Sequence, residues 1–371
     1  SAALSWLVYE ITGSKGMLGV VGADGTLPVM FFSTYGGLLA DRIPRRRILV
    51  FTQAASAVLA LTLGTLAITG AIEVWNIVAL AVLLGVVNGF DMPARQSFVV
   101  ELVDRADLMN AIALNSSSFH GARIVGPAVA GLVMGIWGPG PCFLANSITY
   151  AAVIAALLSL RLAVAQEPGR RGGGAAEGFR VVGRSPGLSA LLLLTLAVGV
   201  FGWSYVVLLP AFARDVLEVG EEGYGLLMSA TGLGSVGGAL LVATIRDPSR
   251  GRAMIAASIS LFAPAVSAFA SSRSFALSMA MLVATGLGLT AFFATANTLI
   301  QTSVADDVRG RVMGIYALVF GAMMPFGAAL TGGCAHLLGA PATVRLGAIA
   351  CAIACLAAHG SLGRLRPAGI S

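Results

Sequence analysis

Gly36-Gly37-Leu38-Leu39-Ala40-Asp41-Arg42-Ile43-Pro44-Arg45-Arg46-Arg47 separates two long apolar runs, at about 17–40 and 48–69. A helix needs about 20 apolar residues to cross a bilayer. A loop that closes such a run with one acid and four arginines has the composition of a membrane–water boundary on its positive side. The same pattern, an apolar run ended by a short charged cluster, continues along the chain. Of the 371 residues, 57% are hydrophobic and 11% charged, whereas soluble domains carry about 25% charged residues. So little charge cannot cover a surface in water, so the surface faces lipid.

Breaks marked by charge, Gly or Pro predict a half span at about 1–12. Full spans follow at about 17–40, 48–69, 74–92, 108–137, 141–160, 188–210, 224–245, 253–271, 275–298, 311–338 and 341–360. The opening apolar stretch, Ala2 to Ile11, is half the length of a span, so the first helix is expected to be truncated. Alternate connections hold eighteen positive residues, among them Arg42, Arg45, Arg46, Arg95, Arg180, Arg184, Arg252 and Arg311. The intervening ones hold Lys15, Arg214, Arg273 and Arg345, and Arg123 lies within the fifth run. The positive-inside rule puts the arginine-rich connections and both termini in the cytoplasm of a multi-pass cell (inner) membrane protein. The net charge of +6 points to no nucleic-acid partner, because the charges punctuate the chain instead of forming one face. Lys15 is the only lysine, a skew toward arginine that suggests a GC-rich, bacterial genome.

The longest connection, Arg161 to Gly187, contains Pro168, Gly172-Gly173-Gly174 and five arginines. It reads as a cytoplasmic linker over 161–187, with Glu177–Arg184 a short surface helix. The expected domains are therefore an N-terminal bundle, 1–160, and a C-terminal bundle with a short tail, 188–371. The halves match weakly at one offset. Asp41 and Asp247 lie 206 residues apart, and Leu108-Met109-Asn110 precedes Val312-Met313-Gly314 by 204, which suggests parallel repeats.

The loop quoted first resembles the signature of the major facilitator superfamily: glycine, then Ala-Asp-Arg, then a basic cluster. Asp91-Met92-Pro93-Ala94-Arg95-Gln96, followed by Val99-Val100-Glu101-Leu102-Val103, is similar to the end of the fourth span in its transmembrane secretion effector branch, which includes enterobactin-exporter-like proteins. Arg309-Gly310-Arg311-Val312-Met313-Gly314-Ile315-Tyr316 is similar to the eleventh helix of that branch. The resemblance covers nearly the whole chain. It implies an all-α integral membrane fold of twelve transmembrane helices, the first truncated, in two pseudo-symmetric six-helix bundles. The implied function is alternating-access transport, with efflux of a siderophore or drug-like compound favoured over uptake and protons as coupling ion. It also implies a cytoplasmic gate of Gly37, Asp41, Arg42, Arg45 and Arg46, supported by Asp91 and Arg95, with Asp41 facing the start of the eleventh helix. A plain positive-inside anchor would explain the arginines but not Asp41 or the paired glycines.

Two features bear on export and coupling. Gly121, Gly126-Pro127 and Gly131 in span five resemble a degenerate exporter-associated motif, and ordinary small-residue packing explains them equally well. Gly85-Val86-Val87-Asn88-Gly89 has glycine where the family's fourth-span motif has arginine. Proton coupling is thus expected from the fold and not from a matching residue.

Ionisable residues inside a span are costly unless paired or hydrated. Asp24 lies roughly 24 Å, and Arg123 roughly 22 Å, from the cytoplasmic ends of their helices at 1.5 Å per residue. They are expected to form an ion pair or to line one aqueous cavity. The alternative is that Arg123 bonds backbone carbonyls while Asp24 faces the outer vestibule. Trp6, Tyr9, Asn115, His120, Trp203, Tyr205 and Asn297 are candidates for a substrate cavity, or else interface-belt and packing residues.

Gly232-Leu233-Gly234-Ser235-Val236-Gly237 fits the dinucleotide-binding spacing but sits inside an apolar span with no strand before it, so helix packing is expected. There is no Walker lysine and no H-E-x-x-H, and Cys142, Cys334, Cys351, Cys355 and the three histidines have no metal-ligand spacing. The expected protein is no enzyme and has no cofactor or metal. It is expected to be a monomer in the lipid bilayer acting on a small-molecule substrate. An uptake carrier, or a non-transporting sensor or lipid-handling protein on the same fold, are the alternatives.

Overall fold

The computed structural model describes residues 2–40, 42–102, 136–160, 175–244, 250–304 and 306–363. They are helical almost throughout, as lipid demands, since a helix satisfies its own backbone hydrogen bonds. In chain order the helices are α1 Ala2–Thr12, α2 Lys15–Asp24, α3 Leu27–Ala40, α4 Arg45–Thr69, α5 Val74–Glu101, α6 Pro139–Ser159 and α7 Ala175–Arg184. There follow α8 Pro186–Gly202, α9 Ser204–Ala211, a π-helical turn Phe212–Val216, α10 Gly220–Ala243, α11 Gly251–Ser271, α12 Phe275–Thr302, α13 Asp306–Leu338 and α14 Ala340–Leu362. Ten stretches among the described residues are long and apolar enough to cross a membrane. The eleven residues of α1 fall short of a span, and most of the fifth expected span lies outside the described residues.

Two expected spans are broken. The second divides into α2 and α3 at Gly25-Thr26. Pro28 has no N–H to offer the Asp24 carbonyl, and the Thr26 hydroxyl turns back onto the Gly22 and Ala23 carbonyls at 2.9 and 3.1 Å. The seventh breaks at Trp203, where Val206 N–H bonds the Trp203 carbonyl at 3.1 Å in a tightened turn, and it runs on through the π turn to Val216. Conversely, α5 continues through Pro93 to Glu101, nine residues past the expected end. Apolar runs record where lipid is, not where the backbone bends, so neither kind of departure shows in hydropathy.

The helices pack in two groups. In the first, α3 and α4 lie on α5, α4 lies along α6, and α1 and α2 touch α5; in the second, α10 and α11 lie on α12, and α11 along α14. Helices α8 and α13 complete the second group, and α7 lies across the start of α13. Small residues allow the closest contacts. A methyl group on Gly234 would fall 1.9 Å from the Val283 carbonyl, and one on Gly286 2.1 Å from that of Thr231. Gly234, the middle glycine of the dinucleotide-binding spacing, is therefore a packing residue between α10 and α12. Each group also carries an arginine bonded to the carbonyl end of its last helix. Arg46 Nη2 donates to the Leu158 carbonyl, and Arg252 Nη1 to the Gly363 carbonyl at 3.0 Å. A cation there satisfies an orphan carbonyl and complements the helix dipole.

Candidate functional site

Antiparallel spans bring the arginine-rich connections to one end of the molecule and the arginine-poor ones to the other. A polar cluster sits at each end.

At the arginine-poor end the two groups of helices are joined. Arg214 and Asp215 lie in the π turn, a distortion concentrated at functional sites because it re-aims side chains off the regular helical register. Arg214 Nη1 donates to the Tyr9 and Glu10 carbonyls at 3.0 and 3.2 Å, capping the last turn of α1, and its guanidinium carbon lies 5.8 Å from the Tyr9 ring centroid. The Tyr9 hydroxyl donates to Asp215, whose carboxylate also faces Lys15 Nζ at 3.6 Å. One turn deeper, Trp6 Nε1 donates to Glu221 at 3.1 Å and its ring stacks on Tyr224 with centroids 5.7 Å apart. Trp6, Tyr9 and Tyr224 are buried.

Beside this cluster α2 lies against α13 with almost no side chain between them. A methyl group on Gly19 would meet the Ala328 carbonyl at 2.6 Å, and one on Gly332 would meet Gly19 Cα at 2.6 Å. This is small-residue contact, the means by which membrane helices bring backbones together. Among the described residues, α3 makes a brief contact with α13 toward the other end.

The arginine-rich cluster lies within the first group. Asp91 is 6% exposed. Its Oδ1 accepts from Thr52 Oγ1 and Gln53 Nε2, both at 2.8 Å. Its Oδ2 accepts from Arg95 Nε at 2.9 Å and Nη2 at 2.7 Å. Four donors compensate the desolvation of the carboxylate. Pro93 cannot bond the Gly89 carbonyl, and that carbonyl lies against Gly36, where a methyl group would come within 2.5 Å of it. Gly36 therefore makes the close helix approach, while Gly37, the expected gate glycine, has open space around it. Arg42 is exposed, and Arg45 and Arg46 are half-buried, with Arg46 engaged at the end of α6.

Of the remaining expected residues, Asp41, Asn115, His120 and Arg123 lie outside the described residues. Asp24 ends α2, half-buried. Trp6 and Tyr9, candidates for a substrate cavity or for packing, lie where α1 meets the π turn and α10. Tyr205 is 1% exposed within the apolar core, and Trp203 packs partly against that core. Asn297 accepts from Gln301 Nε2 at 3.1 Å along α12. Glu221, Asp215, Arg214 and Tyr224 were not anticipated. Their sequence signal was acidic and aromatic residues beside an arginine-poor connection. Thr52 and Gln53 were also missed, although both are polar residues inside an apolar run. Among the described residues no group of three or more His, Cys, Asp or Glu side chains could hold a metal.

The family profile of the transmembrane secretion effectors matches residues 1–367. The chain is 31% identical over 356 residues to the multidrug efflux pump Tap of Mycolicibacterium fortuitum, covering 92% of this chain and 86% of that protein. It is 25% identical over 348 residues to the staphyloferrin A transporter of Staphylococcus aureus, with 91% and 85% covered. A crystal structure of a mutant of the nucleoside transporter NupG shares the fold, with a TM-score of 0.81, 11% identity and 97% and 94% of the two chains covered. So does a bacterial homologue of the lysosomal transporter Spinster, inward-facing and occupied, with a TM-score of 0.74, 14% identity and 98% and 91% covered. With an all-helical, multi-pass fold, a family profile over residues 1–367 and a relative 31% identical over nearly its whole length, the chain belongs to the transmembrane secretion effector family, transport proteins of the major facilitator type.

Proposed function

We propose that this secondary transporter is an exporter of drug-like amphiphiles working by alternating access, held with its arginine-poor end shut. The observation that carries the reading is the placement of the contacts between helix groups. Tyr9–Asp215, Trp6–Glu221, Arg214 on the end of α1, Lys15–Asp215 and the glycine contact of α2 with α13 are all at one end. The full protein is read as twelve helices in two six-helix bundles, 1–160 and 188–371, around the linker 161–187. The paired contacts of the two groups support this, as do Arg46 and Arg252, which lie 206 residues apart and perform the same bond. Both termini and the arginine-rich end are placed in the cytoplasm by the positive-inside rule, so the structure reads as inward-facing.

In this reading Asp41, Arg42 and Arg45 latch the cytoplasmic end when the outer end opens, with Asp91 and Arg95 holding the loop's neighbours in place. Efflux of a drug-like cargo is favoured by the Tap relative. A siderophore cargo, nearer the enterobactin-exporter-like branch, is the second reading, favoured by the staphyloferrin A relative. Protons are the coupling ion proposed for either cargo. The test is accumulation of cationic drugs, macrolides and siderophores in cells with and without the protein, with and without an uncoupler. Lower accumulation that the uncoupler abolishes is expected, and Asp41→Asn should impair it while leaving membrane insertion intact. Equal accumulation of every compound, with the protein shown to be in the membrane, would overturn the export reading.

A further inference from the structure

Helix α7 divides cleanly into two faces. Gly178, Val181 and Val182 turn inward: Gly178 is buried, with a methyl group at its position falling 3.1 Å from the Arg311 carbonyl of α13, and both valines pack on the core. Phe179, Arg180, Gly183 and Arg184 turn outward and are exposed, Phe179 at 55%. These four positions, i, i+1, i+4 and i+5, form one continuous strip at helical spacing. The helix is not free to roll this strip away. Ser189 Oγ donates to the Val182 carbonyl at 2.7 Å, Ser185 N–H bonds the same carbonyl at 3.1 Å, and Ser185 Oγ caps α8 by accepting from Leu188 N–H at 3.4 Å. An exposed aromatic ring with two arginines beside it on the same face is thus fixed at the starts of α8 and α13.

We infer that this outer face of α7 is a docking site for anionic phospholipid headgroups, with Phe179 seated among the upper acyl chains and Arg180 and Arg184 on the phosphates. The chemistry is that of an interfacial amphipathic helix. The ring leaves water for the acyl boundary, the arginine stems lie along the apolar layer, and the guanidiniums reach the phosphates in bidentate geometry. The helix carries one carboxylate, Glu177, three residues before Arg180, against two arginines, so its charge stays positive. Because α7 rests on the backbone of α13 at Arg311, lipid bound there also clamps the first turns of α13 against α8. The inference rests on the membrane reading of the arginine-rich end but not on export, so its test does not require transport.

The first measurement titrates phosphatidylglycerol or phosphatidylcholine into the full chain in neutral detergent and follows the thermal unfolding midpoint. Phosphatidylglycerol is expected to raise the midpoint at concentrations where phosphatidylcholine does not. In R180Q/R184Q the titration should move about 30-fold toward higher lipid, which is about 2 kcal/mol for two interfacial arginines. Equal response to the two lipids, or an unchanged titration in the variant, would overturn the proposal. The second measurement stands even if the double variant folds poorly. Phe179→Trp, reconstituted in phosphatidylglycerol vesicles and read against the wild-type background, should be quenched by lipid brominated high on its chains. Quenching by aqueous iodide alone would overturn the lipid site and leave the strip to an acidic protein surface.

Discussion

The two polar clusters are built to different specifications. The one at the arginine-rich end lies within one group of helices and surrounds a buried carboxylate with four donors. The one at the arginine-poor end joins the two groups through single bonds, an ion pair at 3.6 Å and a ring stack. A buried, fully satisfied network is expensive to open, since each unpaired member costs its whole desolvation penalty. The charged members of this second cluster, Lys15, Arg214 and Asp215, are reached by water, so its ionic contacts open at smaller cost even though the rings of Trp6, Tyr9 and Tyr224 are buried. A carrier that alternates needs both kinds: a permanent brace inside each moving body, and a latch between the bodies weak enough to release in every cycle. Substitutions at Asp91 should therefore change stability, and substitutions in the latch should change which state is populated.

The largest effect is expected from Asp91→Ala, which strands the Gln53 amide, leaves the Thr52 hydroxyl only the Leu49 carbonyl at 3.0 Å, and removes the partner of Arg95. We expect a loss of about 3 kcal/mol, at the low end for a broken buried pair because Arg95 is half-exposed and can turn to water. It should appear as a lower unfolding midpoint in detergent. Gly332→Leu comes next. Its side chain has no room beside Gly19, and overpacking of about 2 kcal/mol falls only on the state in which α2 and α13 touch. Efflux should fall at least about tenfold, with a cysteine placed at Trp6 becoming open to aqueous label. Full efflux in this variant would mean that the backbone contact is not part of the cycle.

Tyr9→Phe removes one hydrogen bond across the latch, about 1 kcal/mol, and should shift the populations roughly fivefold, as read by label accessibility at the arginine-poor end. Its unfolding midpoint should stay near that of the wild type. A drop matching Asp91→Ala would erase the distinction between brace and latch. The smallest effects are expected from Arg46→Gln and Arg252→Gln, each about 0.5 kcal/mol for an exposed helix-end charge. Their near equality is the point, because unequal losses would count against equivalent roles in two repeats.

How much of this could be read from the chain follows from the range of each interaction. Hydropathy located the spans because burial in lipid is a property of each segment alone. Asp91 and Arg95 were expected in the charge network that supports the gate, from the resemblance; the bond between them spans four residues, one turn of a helix. The break at Gly25-Thr26 was hidden, since Pro28 interrupts the backbone without interrupting the apolar run. The latch was hidden for another reason. Tyr9 and Asp215 are 206 residues apart, and no local pattern announces a contact of that length. Trp6 and Tyr9 stood out as candidates for a cavity or for packing, because an aromatic with a polar tip looks the same whether it meets a substrate or another helix.

The two arginine bonds at the ends of α6 and α14 have a further bearing, on whether the halves need to share a chain. Each bond closes within its own half, Arg46 onto Leu158 and Arg252 onto Gly363. A polypeptide cut at Gly172-Gly173 would leave two fragments, each with its fastening intact. What the cut removes is proximity: the latch, intramolecular in the single chain, would become a meeting of two molecules confined to the plane of a membrane. The linker then acts as a tether that sets the effective concentration of one half at the other.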